Sequence, residues 1–131
     1  MIRTLLISFI FISTNVISSD DNQTIKYIFS TNNTNQLVMD IEAALARAQS
    51  TQGIIPEWAA NEISAKANIK YMPQDEVNKE NELVRHRLVS RLNVWKKSLD
   101  LGAEEYLHFG ATTVDIFDTV LVLQVKQSID I

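Results

Sequence analysis

Residues 108–124 read His108-Phe109-Gly110-Ala111-Thr112-Thr113-Val114-Asp115-Ile116-Phe117-Asp118-Thr119-Val120-Leu121-Val122-Leu123-Gln124. The stretch begins with polar and small residues and ends in an almost unbroken apolar run. Thr112 is followed three residues later by Asp115, which is the spacing of a helical capping box. The pattern therefore predicts that a helix begins directly after Thr112.

The same residues carry groups that suit an anion. The free N–H groups at a helix start, together with the positive end of the helix dipole, favour bound carboxylates and phosphates. Gly110 allows a close backbone approach, His108 can donate or accept a proton, and the hydroxyls of Thr112 and Thr113 add donors. The stretch predicts a site for a small carboxylate or phosphate. The alternative is that these residues only cap a core helix.

The composition fits one globular domain. The chain has 131 residues, of which 46% are hydrophobic and 21% charged. Only 3 glycines and 2 prolines leave little material for hairpin turns, which favours helices. A net charge of −4 gives no support for nucleic-acid binding. There is no cysteine, and His86 and His108 lie far apart in the sequence, so we expect no metal and no cofactor.

The first strong helix signal starts near residue 34. We expect Asn33 or Thr34 to cap this helix and Gly53 to end it. Four polar residues fall outside the predicted apolar stripe: Asp40, Glu42, Arg47 and Gln49. The stripe itself consists of Leu37, Val38, Ile41, Ala44, Leu45 and Ala48.

Three further helices complete an all-α prediction. A helix over about 56–68 starts at Pro56 and buries Ala59, Ala60, Ile63 and Ala67. A single longer helix over 75–100, ending at Gly102, carries the stripe Val77, Val84, Leu88, Leu92, Trp95 and Leu99. The helix that begins at Thr113 is apolar on nearly all sides, which is typical of a helix packed among several others.

Residues 1–19 differ from the rest. Arg3 precedes a short apolar run and then small or polar residues, as in a secretory signal peptide, with Val16 and Ser18 suited to a cleavage site. The run is too short to span a membrane, so we expect no membrane anchor. The alternative is a buried N-terminal strand or helix.

The motif at 108–119 resembles the His-x-Gly-x-Thr-Ser/Thr-x-Asp-x-x-Asp-Thr motif of the fumarase/aspartase superfamily. It is most similar to the branch that holds adenylosuccinate lyase and 3-carboxy-cis,cis-muconate cycloisomerase. Upstream blocks agree in order and spacing: Ile28-Phe29-Ser30, the run from Asp40 to Gln49 and Gly53-Ile54-Ile55-Pro56.

The resemblance implies an all-α fold in which residues 20–111 form an N-terminal helical domain and residues 112–131 begin a long central helical bundle. It also implies a homotetramer, in which each active site draws on three subunits. The implied chemistry is β-elimination that releases fumarate, or the related cycloisomerisation, on a small dicarboxylate-type substrate.

Site roles also follow from the resemblance. It implies that His108, Thr112 and Thr113 contact the substrate and that Asp115, with Gly110, orders the loop and helix start. His86 matches a histidine of a Thr-x-His block in the active site. Here the sequence departs from the pattern, because Val84 replaces the threonine. The alternative for His86 is an exposed helix histidine beside two arginines.

Two family elements do not occur in these residues: the segment with the general-acid histidine and the flexible loop with the catalytic serine. We therefore expect an N-terminal fragment of a lyase, inactive alone. The alternative is a small secreted helical binding module, suggested by residues 1–19 and the basic face within 85–97. The signal-like start predicts export, whereas family members are usually cytoplasmic.

Overall fold

The computed structural model describes residues 19–100 and 102–131, and every element in these ranges is helical. Two short 3₁₀ helices, Ile69–Tyr71 and Ala103–Tyr106, lie between α-helices. The α-helices are α1 (Ser19–Ile28), α2 (Thr31–Thr51), α3 (Glu57–Ala65), α4 (Gln74–Val84), α5 (Arg87–Lys96) and α6 (Thr113–Ile129). The all-α prediction is confirmed. The predicted signal peptide lies outside the described residues except for Ser19.

Helix α2 is the element against which α1, α3 and α6 pack. It begins earlier than predicted, because the N-cap is Ser30, whose hydroxyl accepts the N–H of Asn33 at 3.2 Å, and not Asn33 or Thr34. The predicted end is confirmed. Gly53 adopts φ +70°, a left-handed conformation that only glycine adopts without a steric cost.

The predicted apolar stripe of α2 is wrong in its position on the helix. Ala44 and Ala48 are exposed, and Glu42 is buried instead of facing solvent. The buried residues of its central part are Leu37, Val38, Met39, Glu42, Ala43 and Ala46. The face of α2 that is buried includes Glu42, whose carboxylate interrupts the apolar pattern. For that reason the sequence pattern favoured the adjacent face, which carries Ala44 and Ala48.

Helix α3 is shorter than predicted but buries the predicted face. It starts after Pro56, which is the N-cap and not the first helical residue. Ala59, Ala60 and Ile63 are buried, whereas Ala67 lies beyond the helix and is partly buried against the core.

The prediction of one helix over 75–100 is wrong. The chain breaks between α4 and α5, where Arg85 is left-handed with φ +49° and His86 is extended with φ −141°. Val84, assigned to the apolar stripe, is exposed, so no packing continues the helix at this point. Gly102, predicted to end that helix, instead precedes the second 3₁₀ helix with φ +84°.

Helix α6 begins at Thr113 as predicted and buries only one face, formed by Ile116, Val120 and Gln124. Gln124 donates from Nε2 to the carbonyl of Ile28 at 2.8 Å and to the hydroxyl of Thr34 at 3.0 Å, which ties α6 to α1 and α2. Its exposed apolar residues are Val114, Leu121, Val122, Val125 and Ile129. Across the described ranges, no helix combines the length and apolarity that crossing a membrane requires.

Candidate active site at the start of α6

The start of α6 is held by a capping box, as predicted. The carboxylate of Asp115 accepts hydrogen bonds from both the backbone N–H and the hydroxyl of Thr112, each at 2.8 Å. These bonds, with a smaller contribution from the charge of His108, hold the pKa of Asp115 below its ordinary value. The capping box uses the N–H groups of Thr112 and Asp115, so the N–H groups of Thr113 and Val114 are the ones available to an external anion.

The loop before α6 is fixed to α2. Gln49 donates from Nε2 to the carbonyl oxygen of Phe109 at 2.6 Å. His108 and Gly110, on either side, have φ +63° and +69°, so the chain makes two left-handed turns around this bond. A side chain at Gly110 would begin 4.0 Å from Gln49 Nε2, so steric contact is mild and the positive φ is the reason for glycine.

His108 is joined to a residue that the sequence did not single out. Its Nδ1 lies 2.7 Å from Oε1 of Glu42 on α2, and the Glu42 side chain is fully buried. Burial raises the pKa of the Glu42 carboxyl above its ordinary value, while His108 and then Lys96 oppose that rise. Glu42 was detectable in principle, because it lies four residues from both Val38 and Ala46 on one helix face.

His86 approaches the start of α6 from α5. Its Nδ1 accepts the N–H of Val89 at 3.2 Å and so caps α5, while its Nε2 lies 3.5 Å from the hydroxyl of Thr113. The expectation of an exposed histidine within a helix is therefore only half right. His86 is exposed, but it stands at a helix break and faces a predicted site residue.

The predicted residues thus gather around one helix start on an open surface. His86 and Thr112 are exposed, and His108 and Thr113 are half-buried. A shallow cavity of about 310 Å³ lies beside them, between Gly110 and Asp115 on one side and Leu45 of α2 on the other. None of the four predicted substrate contacts lines this cavity.

A larger groove of about 480 Å³ lies further along α6. Arg87 and Arg91 of α5 line it, and the guanidinium of Arg87 stacks on the ring of Phe117 at 3.9 Å. Burial, and then the nearby charge of Arg87, lower the pKa of Arg91. Among the described residues, no three His, Asp or Glu side chains cluster as metal ligands would.

The groups at the start of α6 are of the kind that bind an anion. The free first-turn N–H groups of α6, the hydroxyl of Thr113 and the two imidazoles are donors or potential donors, and they come from the start of α5, the loop before α6 and α6 itself. Such an array can neutralise a carboxylate and stabilise negative charge that develops on it.

Comparisons with known proteins give a consistent result. The chain is 40% identical over 94 residues to adenylosuccinate lyase of Methanocaldococcus jannaschii, covering 72% of this chain and 20% of that protein. It is 36% identical over 93 residues to N-acetyl-S-(2-succino)cysteine lyase of Dickeya dadantii, covering 71% of this chain and 20% of the relative.

The structural comparison agrees. The crystal structure of a fumarate lyase from Mesorhizobium sp. BNC1 matches with a TM-score of 0.72 and 35% identity, over 79% of this chain and 24% of that one. No protein-family model matches. The chain spans about a fifth of the length of the curated relatives named above.

Proposed function

The chain belongs to the fumarase/aspartase superfamily, in its adenylosuccinate lyase-like branch, and on that basis we propose that it forms the carboxylate-binding part of a lyase active site. The substrate class is a small dicarboxylate or a compound carrying a succinyl group. The observation that carries the proposal is the approach of His86 to Thr113 at the start of α6, with His108 close enough for its charge to act on Asp115.

The role of this site is to stabilise charge. In β-elimination, loss of a proton next to a carboxylate places a second negative charge on that carboxylate. Fixed donors aimed at the position where this charge develops lower the barrier without reorganising. The free N–H groups in the first turn of α6 and the hydroxyl of Thr113 supply such donors. The hydroxyl of Thr112 donates to Asp115 instead, and this bond keeps the helix start in place.

We propose further that residues 1–131 bind the carboxylate without converting it. Proton removal needs a base and a positioned acid, and the motifs that carry them in the superfamily do not occur in these residues. The test combines two measurements on the purified chain: titration with succinate or fumarate followed by NMR, and an assay for fumarate release from adenylosuccinate. We expect binding at the α6 start and no turnover.

Matched variants sharpen this test. Thr113→Ala should weaken binding, whereas Thr119→Ala should not, because Thr119 lies on the same helix and uses its hydroxyl only for the carbonyl of Asp115 at 2.6 Å. Turnover that His108→Ala abolishes would show that the chain is a complete catalyst. Equal binding by wild type and Thr113→Ala would place the anion elsewhere.

Assembly and localisation are separate proposals. The exposed apolar face of α6 supports assembly through that helix, as the homotetramer implied by the superfamily requires. The signal-like residues 1–19 support export over a cytoplasmic location. N-terminal sequencing of the mature protein tests export, and a mature chain that still begins at Met1 would contradict it.

A further inference from the structure

We propose that Glu42 is a positioning residue, which keeps the imidazole hydrogen of His108 on Nδ1 and turns its Nε2 toward the anion at the start of α6. This inference rests on the function proposed for that site. Glu42 does not touch the anion itself, and it acts only through the ring of His108.

The two ring nitrogens of His108 have different surroundings. Nδ1 lies 2.7 Å from Oε1 of Glu42, a residue that is only 1% exposed. The His108 side chain keeps 19% of its surface exposed. Among the described residues, the partner of the ring is on the Nδ1 side, which leaves Nε2 as the nitrogen for an external ligand. A buried acceptor at one nitrogen fixes both the tautomer and the orientation of an imidazole.

Glu42 is committed to this one partner. Its second oxygen, Oε2, is buried and has no hydrogen-bond partner in the described part of the chain. Burying a carboxylate with one oxygen unsatisfied is costly. An amide would lower that cost by removing the charge, and an apolar side chain would avoid it. A carboxylate does what those groups cannot, because it stabilises the doubly protonated ring, in which Nε2 also carries a hydrogen to donate.

Charges on the neighbouring helices act on the same pair. Burial raises the pKa of Glu42, and His108 and then Lys96 of α5 oppose that rise. Asp115 of α6 lies near enough for the charge of His108 to lower its pKa. A dianionic ligand at the start of α6 would attract a proton, so we expect ligand binding to be accompanied by proton uptake.

The two histidines provide an internal control for the tautomer. His86 uses Nδ1 to accept the N–H of Val89, so its hydrogen resides on Nε2, whereas Glu42 holds the hydrogen of His108 on Nδ1. Long-range proton–nitrogen correlation spectra of the histidine-labelled chain 1–131, recorded where the rings are neutral, should therefore show opposite tautomers. A His108 ring with its hydrogen on Nε2 would overturn the proposal.

Variants of Glu42 distinguish its effect on the orientation of the His108 ring from the effect of its negative charge. Glu42→Gln keeps an acceptor for Nδ1 and should preserve the His108 tautomer, while Glu42→Leu should release it and leave the His86 signal unchanged. Circular dichroism shows whether each variant folds. If Glu42→Leu does not fold, the wild-type tautomer and Glu42→Gln still decide the question.

Succinate titrations then test the link to binding. We expect about tenfold weaker binding for Glu42→Gln, a larger loss for Glu42→Leu, and wild-type affinity that rises as the pH falls through the histidine range. Unchanged affinity in both variants would overturn the positioning role. If the wild-type chain bound no succinate but showed the opposite tautomers, the proposed function of the site would fail while the Glu42–His108 arrangement stood.

Discussion

The imidazole of His86 connects the starts of two helices. Its Nδ1 accepts the N–H of Val89 in the first turn of α5 at 3.2 Å, and its Nε2 lies 3.5 Å from the hydroxyl of Thr113 at the start of α6. One ring nitrogen thus caps a helix while the other faces the candidate site. The two roles can be separated by substitution.

Replacing His86 by Ala should remove the cap and lower the free energy of unfolding by about 1 kcal/mol. Replacing it by Asn should largely preserve stability, because a short amide caps well, but it cannot reach Thr113. Urea denaturation measures the first effect and succinate titration the second. Equal destabilisation by both changes would mean that the ring, and not its capping bond, stabilises the helix break.

Replacing His108 by Ala should destabilise the chain by about 1–3 kcal/mol at neutral pH, since it leaves the buried Glu42 without its partner. Adding Glu42→Leu to this variant should recover part of the loss, because an apolar side chain suits the buried position better than an unpaired carboxylate. Chemical denaturation of wild type, His108→Ala, Glu42→Leu and the double variant gives the interaction free energy between the two residues. Strictly additive effects would argue against a direct interaction.

The stability of the chain should depend on pH through Glu42. Burial raises the pKa of this carboxyl above its ordinary value of 4.5, so the folded chain binds the proton more tightly than the unfolded chain does. The resulting stabilisation is full below the ordinary pKa and is lost as the pH rises through the folded pKa. In Glu42→Gln, stability should therefore fall less than in wild type over this interval. Urea denaturation of both proteins at several pH values in this interval measures the free energy of unfolding. The same pH dependence in wild type and Glu42→Gln would contradict the prediction.

Asp115 should give a pH dependence of the opposite sign. Bonds from Thr112 lower its pKa, so its stabilising effect is present above the ordinary pKa and is lost as the pH falls through the lowered one. Asp115→Asn should lower the melting temperature at neutral pH, and the difference from wild type should shrink in acid. Asp118→Asn, on the same helix, is the control and should show the smaller effect. If Asp115→Asn melted below wild type by the same amount in acid, the asparagine would be disturbing the start of α6 for a reason other than the lost negative charge.

The exposed face of α6 should promote self-association. Val122 is 66% exposed, and Leu121 and Val125 beside it are exposed as well, whereas Leu83 on α4 is 79% exposed but is not part of this face. Val122→Lys should reduce concentration-dependent association in sedimentation measurements, and Leu83→Lys should have little effect. Association that survives Val122→Lys but not Leu83→Lys would place the contact on α4.

Local signals in the sequence predicted the local features well. The Thr112–Asp115 pair and Gly53 were identified correctly because a cap or a left-handed turn depends on neighbouring residues. The break at Arg85 was missed because neither glycine nor proline marks it. The cap that restarts the chain is a histidine, which is not among the usual capping residues.

The candidate site was predicted only in part. Thr112 and Thr113 lie at the expected helix start, and His108 lies in the loop just before it. Glu42 was missed because a carboxylate interrupts an apolar stripe, and its partner lies 66 residues away in the sequence. The sequence alone does not predict such a pair. The periodicity of apolar residues indicates which residues share one face of a helix, but it does not indicate which residues of other elements pack against that face.

The bonds from α2 to the loop before α6 have a consequence for the order of folding. Glu42–His108 and Gln49–Phe109 join residues separated by 66 and 60 positions, and α3, α4 and α5 lie between them. Closing so large a loop has an entropic cost that is offset only when the intervening helices are packed. Each helix can begin to form from local contacts, but the candidate site depends on contacts between residues that are far apart in the sequence. It is therefore expected to be among the last parts of the chain to form and among the first lost when the packing loosens.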